Sequence, residues 1–391
     1  MALTAGKGGS HETERWLSPP GPEALKGRNI HFMIGNGFDV GLDLPSKFKD
    51  FFPTYVEDSK NKPPEIKQLS ERIHANYKTW ADFETRMGQY TNEFGSSNKH
   101  QYSLQFRDFE TAFVQHLKRE ERSLSFDDAD GIRKMMIAAL TSFYSLDNLR
   151  YGSSNAIANI FQNHKSEEHR YNFISFNYTN LLEKCLSTLP KGVVKARTTT
   201  TNDKVGSIVH VHGTNDDAPI MGVNDVSQIA NKELAKDERF IRYIVKPMLN
   251  SVHRTDHDAR ATNLISSSQI ICIYGMALGA TDKLWWGRVL TWLNGASDRQ
   301  LVIFDYDPDF VTASQFDWID KEDAIIDRLA PYVSDSKIDV EKLRPRIHIA
   351  VHKNIFEMNL RKVDPASPAT EAATAAVEYL SENKESLAQL V

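Results

Sequence analysis

Residues 29–34 have the sequence NIHFMI and run directly into Gly35, Asn36 and Gly37. A short apolar run that stops at a glycine turn is typical of a buried strand. Five further runs of this kind are YNFISF at 171–176, GSIVHVH at 206–212, QIICIY at 269–274, QLVIF at 300–304 and RIHIAVH at 346–352. Continuous apolar runs separated by helical segments predict an α/β fold built on a buried parallel sheet.

The segment between the first two predicted strands has a different pattern. Over residues 57–168, apolar residues recur every three or four positions among charged ones, as at Phe106, Phe109 and Phe113. This spacing is typical of amphipathic helices. We therefore expect residues 57–168 to form a large, mostly helical insertion.

The two ends of the chain differ from the part between them. Residues 1–27 are polar and rich in Gly and Pro, which predicts a flexible leader. Residues 361–391 predict a C-terminal tail or helix. A single α/β domain is expected over residues 28–360.

Composition excludes several classes of protein. The chain has 391 residues, with 47 Lys and Arg against 52 Asp and Glu, so its formal net charge is −5. Such a mildly acidic chain is a poor candidate for a dedicated nucleic-acid-binding protein, which usually carries a basic face. Only two cysteines occur, Cys185 and Cys272, which excludes a four-cysteine zinc ribbon and a disulfide-rich secreted scaffold.

Targeting and membrane signals are weak. The N-terminus has no apolar signal-peptide core. Residues 261–281 carry no charged side chain, but their serines, asparagine and glycines favour a short strand and a turn over a membrane span. We expect a cytoplasmic protein that does not enter the membrane.

The turn after the first strand is a candidate phosphate site. Gly35 and Gly37 would let the backbone approach a pyrophosphate, and the following helix N-terminus would favour the anion. The dinucleotide fingerprint G-x-G-x-x-G is incomplete, because Val40 stands at its third glycine. A plain strand-to-helix turn explains this segment equally well.

Polar side chains also follow two other strands. Asn177 could cap the next helix or hold a water or a ligand carboxamide. His212 precedes Gly213 at a strand end, where parallel sheets bind ligands, and a general-base role fits it there. His210 would share a strand face with His212. A metal site would need further ligands, and none is expected.

Two later strand ends add three residues. Gly275 and Met276 follow a strand, and the small residues there allow close backbone approach. Asp305 ends the next strand, where an acidic residue can hydrogen-bond a ribose hydroxyl. A solvated turn acid is the alternative for Asp305.

Four segments, taken in order, resemble the bacterial abortive-infection AbiH family. They are HFMIGNGFDVGLDLPSKFKDFF at 31–52, FISFNYTNLLE at 173–183, VHVHGT at 209–214 and IYGMALGATDKLWW at 273–286. The resemblance covers roughly residues 28–360. It implies an anti-phage abortive-infection effector.

A more distant resemblance is to sirtuins and to the sirtuin-like NAD hydrolases of phage defence. It implies a Rossmann-like sheet, NAD as substrate and hydrolysis of the nicotinamide–ribose bond. By this resemblance Asn177 and His212 would be catalytic, and the cofactor-binding residues would be Gly35, Asn36, Gly37, Asp39, Gly275, Met276 and Asp305. The zinc cysteines of sirtuins are absent, which argues against a protein deacylase and for a site without metal.

A second hypothesis is a nucleotide-sensing or scaffold component of a defence system, which binds a nucleotide without turnover. A nuclease toxin is disfavoured, because no paired carboxylates with metal-site spacing and no basic stripe occur. Besides NAD, a phage-derived trigger or partner protein and a homo-oligomer remain open as partners.

Overall fold

The computed structural model describes residues 27–144, 149–163, 167–196, 202–217, 219–252, 256–310, 315–333, 338–351, 354–360 and 362. The predicted leader and the predicted C-terminal tail or helix therefore lie outside the described residues, apart from Gly27 and Lys362. Gly27 is the first residue of the first strand and not part of the leader.

A seven-stranded, mostly parallel sheet forms the centre of the molecule. Its strands are β1 Gly27–Ile34, β2 Glu168–Ser175, β3 Val193–Ala196, β4 Asn202–His210, β5 Ile270–Tyr274, β6 Gln300–Asp305 and β7 Ile347–Val351. They lie in the order β3-β4-β2-β1-β5-β6-β7, and only β3, at one edge, is antiparallel to its neighbour. The six parallel strands are the six apolar runs of the sequence. The four-residue β3 was not predicted, because VVKA is too short to give a periodic signal.

The order of the parallel strands reverses at β1. The chain passes from β1 to β2 and then to β4 on one side, and it returns to the other side of β1 for β5, β6 and β7. In sheets wound in both directions, ligands bind beyond the carboxyl ends of the strands at this reversal. The ends of β1 and β5 are therefore the place where a ligand site is expected.

Fourteen helices surround the sheet in the described part of the chain. They are α1 Gly37–Gly41, α2 Phe48–Asp58, α3 Pro64–Ala75, α4 Phe83–Tyr90, α5 Lys99–Arg122, α6 Ala129–Thr141, α7 Tyr151–Asn163, α8 Leu181–Ser187, α9 Glu238–Ile244, α10 Lys246–Val252, α11 His257–Ser267, α12 Lys283–Asn294, α13 Gln315–Leu329 and α14 Val340–Leu343. None of them combines the length and the apolar composition that a bilayer span requires.

Local signals explain where several helices begin. Pro64 is the first residue of α3, where its missing N–H costs nothing. The side chain of Asp82 accepts a hydrogen bond from the Thr85 N–H, and that of Asp128 accepts one from Gly131, so both residues cap helix N-termini.

The helical region between β1 and β2 divides into two parts that pack differently. Helices α2 to α5 bury aromatic side chains such as Phe83 and Phe109 in a separate core, together with apolar residues from 221–245. Helices α6 and α7 pack instead on the face of the sheet that carries Ile30 and Phe32. Residues 57–168, predicted as a mostly helical insertion, therefore contribute helices to two separate cores.

The other face of the sheet has its own core. Met33 of β1, Ile174 of β2 and Ile273 of β5 pack there against α11, α12 and α13. Because both faces of the sheet are covered, the central strands are buried along their length. Their sequences are therefore continuous apolar runs.

Glycines let the turn after β1 contact the turn after β5. The Gly37 N–H donates to the Gly275 carbonyl at 2.9 Å, and the Gly35 N–H donates to the Tyr274 carbonyl at 2.9 Å. A Cβ on Gly37 would lie 2.4 Å from the Gly275 Cα, and Gly275 has a φ of +68°. Only glycine satisfies both the close approach and the backbone conformation.

We expect Gly37→Ala to lower the free energy of unfolding by about 1–3 kcal/mol, because the added methyl group meets backbone that cannot turn aside. Denaturant unfolding of the full chain measures this loss. Gly152→Ala is the matched control, since a Cβ there meets nothing within 4 Å and lies in α7. It should stabilise by up to about 1 kcal/mol. Equal effects at the two positions would contradict the proposed role of the glycine contact.

Candidate functional site

A cavity of about 750 Å³ opens at the carboxyl edge of the sheet, where the strand order reverses. Residues that follow β1, β2, β4 and β5, and the last residue of β6, line it. All nine residues singled out in the sequence lie on its wall; they are Gly35, Asn36, Gly37, Asp39, Asn177, His212, Gly275, Met276 and Asp305. The structure therefore brings the predicted site residues together in one place.

Asp39 is the centre of a buried polar cluster. The Asn177 Nδ2 donates to Asp39 Oδ1 at 2.9 Å. The Thr179 hydroxyl lies 3.0 Å from Oδ1 and 2.9 Å from Oδ2 of the same carboxyl. The cluster joins the helix after β1 to the turn after β2, and so it holds Asn177 in a fixed orientation.

Burial raises the pKa of Asp39 to about 7. Hydrogen bonds from Thr179 and Asn177 oppose this shift, and the nearby carboxylate of Glu121 adds to it. Since only 1 % of Asp39 is exposed, water cannot solvate its charge. Asp39 can therefore hold or release a proton near neutral pH.

Asn177 lines the cavity and has an unused hydrogen-bond acceptor. Its Nδ2 is bound to Asp39, but its Oδ1 is buried and has no hydrogen-bond partner among the described residues. A buried polar atom without a partner costs free energy unless a ligand or water satisfies it. The amide oxygen is thus suited to accept from a hydroxyl group or a water in the cavity.

His212 faces the cavity as a neutral base. Burial lowers the pKa of its imidazole well below the ordinary value of 6.5, and the Lys246 ammonium lowers it further. The ring packs edge-on against Phe176, with 5.5 Å between centroids, and lies 6.1 Å from the ring of Tyr178. A neutral imidazole keeps one nitrogen free to accept a proton at neutral pH.

His210 has a different environment from His212, and the expectation that the two share a strand face is wrong. Strand β4 ends at His210, and His212 lies in the turn beyond it, next to Gly213 with a φ of +67°. His210 Nε2 pairs with Glu183 Oε1 at 2.5 Å, and its Nδ1 lies 3.1 Å from the Asn177 carbonyl. His210 therefore supports the backbone of Asn177 from outside the cavity.

The pairing with Glu183 also sets the charge of His210. Burial disfavours the imidazolium, but the Glu183 carboxylate, the Asn177 carbonyl and Asp39 together outweigh burial and raise the pKa of His210 above its ordinary value. Among the residues that the structure describes, no group of three or more His, Cys, Asp and Glu is arranged to hold a metal ion.

Asp305 reaches the cavity as one member of an ion-pair group. Lys321 Nζ lies 2.5 Å from Asp305 Oδ2, and Arg328 Nη2 lies 3.5 Å from Oδ1. Lys321 also pairs with Asp307 at 2.7 Å. A ribose hydroxyl that hydrogen-bonds to Asp305 would thus meet a carboxylate already held by two cations.

Two buried charged residues at the cavity were missed by sequence reasoning. Lys246, at the start of α10, donates to Glu84 Oε2 at 2.6 Å, and both side chains are nearly inaccessible to solvent. Glu84 Oε1 accepts from the Tyr178 hydroxyl at 3.2 Å and from the Gly222 N–H at 3.1 Å. These residues are far apart in sequence and follow no strand, so no local pattern could have placed them together.

Asp282 is the third residue that sequence reasoning left without a role. Its carboxyl lines the cavity at the start of α12, and its Oδ1 lies 3.9 Å from His212 Nε2. Burial raises the pKa of Asp282 to about 6, against the opposing effect of Lys246. At neutral pH it is therefore mostly ionised.

A family model described as bacteriophage abortive infection AbiH matches residues 31–304, which is more than half of the chain. The matched segment includes eight of the nine predicted site residues and ends one residue before Asp305. No curated protein matches the chain.

The raised pKa of Asp39 predicts that the free energy of unfolding changes with pH. Between the unfolded value near 3.8 and the folded value of about 7, the native state keeps a proton that the unfolded state has lost. Stability therefore falls as pH rises through this window, by about 3–4 kcal/mol for this group. Denaturant unfolding of the wild type and Asp39→Asn at pH 4.5 and pH 8 measures the effect.

The difference in stability between these two proteins should shift in favour of Asp39→Asn at the higher pH. Asp43→Asn is the control, because the Asp43 side chain is 64 % exposed and lies on the rim of the same cavity. Parallel pH profiles for the wild type and Asp39→Asn would show that the Asp39 carboxyl is not held in its protonated form.

Proposed function

Because the chain belongs to the AbiH family, we propose that it is an abortive-infection effector that hydrolyses NAD at the nicotinamide–ribose bond. The observation that carries this proposal is the arrangement of Asn177 and His212. A fixed amide with an unused oxygen and a neutral imidazole face the same cavity, at the point where the strand order reverses.

The sheet supports a dinucleotide as the ligand. Numbered among themselves, the parallel strands follow the order 3-2-1-4-5-6, which is the order of Rossmann folds that bind dinucleotides at the reversal. The cavity volume of about 750 Å³ lies within the roughly 300–1,000 Å³ of cofactor sites. A Rossmann-like, sirtuin-like assignment is therefore part of the proposal.

The chemistry needs few groups. Cleavage releases nicotinamide, which leaves as a neutral base because the bond electrons neutralise its pyridinium nitrogen. No strong general acid is required. The ribose carbon becomes cationic in the transition state, so the site must place a nucleophile and tolerate positive charge.

We assign these tasks to residues of the cavity. The Asn177 Oδ1 accepts a hydrogen bond from a ribose hydroxyl or from water, and Asp39 fixes its direction. His212 accepts the proton that the attacking water loses. The carboxyl of Asp39 lies behind Asn177 and favours developing positive charge when it is ionised.

The two glycine turns and Asp305 are assigned to the rest of the dinucleotide. Gly35 and Gly37 pack directly against Gly275, and the backbone of these turns lines the cavity, where we place the pyrophosphate. Asp305 lies at the end of β6, two strands from β1, where the adenosine ribose would be held.

We expect His212→Ala and Asn177→Ala each to lower the rate of NAD consumption by at least about 10²-fold, as removal of a positioned base does. Apparent affinity for NAD should change less than turnover, since both groups act mainly in the transition state. Nicotinamide release by the purified full chain, with and without phage components, measures this. Circular dichroism verifies that each variant is folded.

His74→Ala and Asn92→Ala are matched controls, because both positions are exposed and lie outside the cavity. Folded His212 and Asn177 variants that consume NAD at the parent rate would overturn the assignment. A parent protein that binds NAD tightly but never cleaves it would favour the nucleotide-sensing or scaffold hypothesis instead.

A further inference from the structure

The His212 imidazole and the Asp282 carboxyl line the same cavity, and the distance between them is one that a water molecule bridging two acceptors would span. The separation of 3.9 Å between His212 Nε2 and Asp282 Oδ1 is too long for a direct hydrogen bond. For a water oxygen placed about 2.8 Å from each of these atoms, the angle Nε2···O···Oδ1 would be about 90°. This is about 15° smaller than the angle between the two O–H bonds of water, and slightly bent hydrogen bonds accommodate the difference.

Both sides of the gap are acceptors when the one proton of the neutral imidazole is on Nδ1, and the hydrogen bond of His212 to the Phe176 backbone can hold that proton. Asp282 Oδ1 is buried and has no hydrogen-bond partner among the described residues. An ionised carboxylate only accepts hydrogen bonds, and a neutral imidazole accepts through the nitrogen that carries no proton. Two facing acceptors cannot satisfy each other, but one water can donate a hydrogen to each.

The position of Asp282 is fixed by its surroundings. It immediately precedes α12, yet its side chain makes no capping hydrogen bond there. The Trp286 indole N–H donates to the Gly279 carbonyl at 2.9 Å and ties the preceding loop to the helix. The next residue, Lys283, pairs with Asp225. These contacts fix the backbone on both sides of Asp282, whose side chain lines the cavity and does not cap the helix.

We propose that Asp282 is a catalytic residue that holds the nucleophilic water against His212. This inference rests on the proposed NAD hydrolysis and says which atoms position its water. The water donates one hydrogen to His212 Nε2 and the other to Asp282 Oδ1, which leaves an oxygen lone pair directed at the ribose.

The step balances as follows. The water oxygen forms a bond to the anomeric carbon, the carbon–nitrogen bond to nicotinamide breaks, and its electron pair stays on the nicotinamide nitrogen. His212 takes one proton from the water and later releases it to solvent. Asp282 remains ionised and stabilises the imidazolium that forms.

Other charged groups at the gap allow this role. Lys246 favours the ionised form of Asp282, while the nearby carboxylates Glu84 and Asp82 oppose it. Lys246 itself is bound to Glu84 and does not occupy the gap as a direct partner of Asp282. Hydrolysis should therefore decline as pH falls through about 6, where Asp282 becomes protonated. Asp39 also titrates nearby, so variants of Asp282 must identify the group.

The test uses methanol as a competing nucleophile. Water can donate two hydrogens to the pair of acceptors, whereas methanol can donate one. The full chain, Asp282→Ala and Asp282→Asn are incubated with NAD in buffer containing a fixed fraction of methanol. Mass spectrometry then gives the ratio of methyl ADP-ribose to ADP-ribose, and kcat and KM are measured separately.

We expect both Asp282 variants to lose at least about tenfold in kcat, with little change in KM, because a hydrogen bond to a charged group is lost. The ratio of methyl ADP-ribose to ADP-ribose should rise by about tenfold in Asp282→Ala, and the loss of activity near pH 6 should disappear. Asp43→Asn is the control, since it makes the same chemical change at the cavity rim, and asparagine tolerates the φ of +62° found there.

An unchanged methanol ratio with a reduced rate would show that Asp282 acts only on structure and would overturn the inference. An unchanged rate in both Asp282 variants would do the same. Absence of NAD cleavage by the wild type would be a different result, because it would remove the proposed function itself.

Discussion

The close contact of Gly37 with Gly275 determines the geometry of the whole cavity. Because neither residue has a Cβ, the backbone after β1 lies directly on the backbone after β5, with a hydrogen bond of 2.9 Å between them. These are the two strands between which the sheet changes direction. The contact fixes the floor of the cavity, and Asn177, His212 and Asp305 are then placed around it by the neighbouring strands.

Burial is the main cause of the shifted pKa values of Asp39 and His212, which line the cavity around this floor. The Asp39 carboxyl can remain protonated up to neutral pH, and the His212 imidazole stays unprotonated well below it. In both residues this is the uncharged form, which costs less free energy than the charged form where few water molecules can solvate a charge. The unprotonated His212 is the base that the proposed hydrolysis needs, and Asp39 can lose its proton near neutral pH and then favour developing positive charge.

The sequence was sufficient to predict the six parallel strands and the site residues that follow them. Continuous apolar runs such as that of β5 follow directly from burial on both faces, and the carboxyl ends of parallel strands must lie at one edge. The sequence was not sufficient to predict where a strand ends or which distant segments come into contact. The turn that separates His212 from His210 ends β4 two residues early, and the Lys246–Glu84 pair joins segments 162 positions apart. Neither leaves a periodic signal.

The most direct test of the account is a crystal structure of the His212→Ala variant with saturating NAD. We expect the nicotinamide ribose beside Asn177, the pyrophosphate on the turns at Gly35 and Gly275, and the adenosine near Asp305. An empty cavity, or NAD bound elsewhere on a protein whose parent consumes it, would contradict the central claim that this cavity binds and cleaves the dinucleotide.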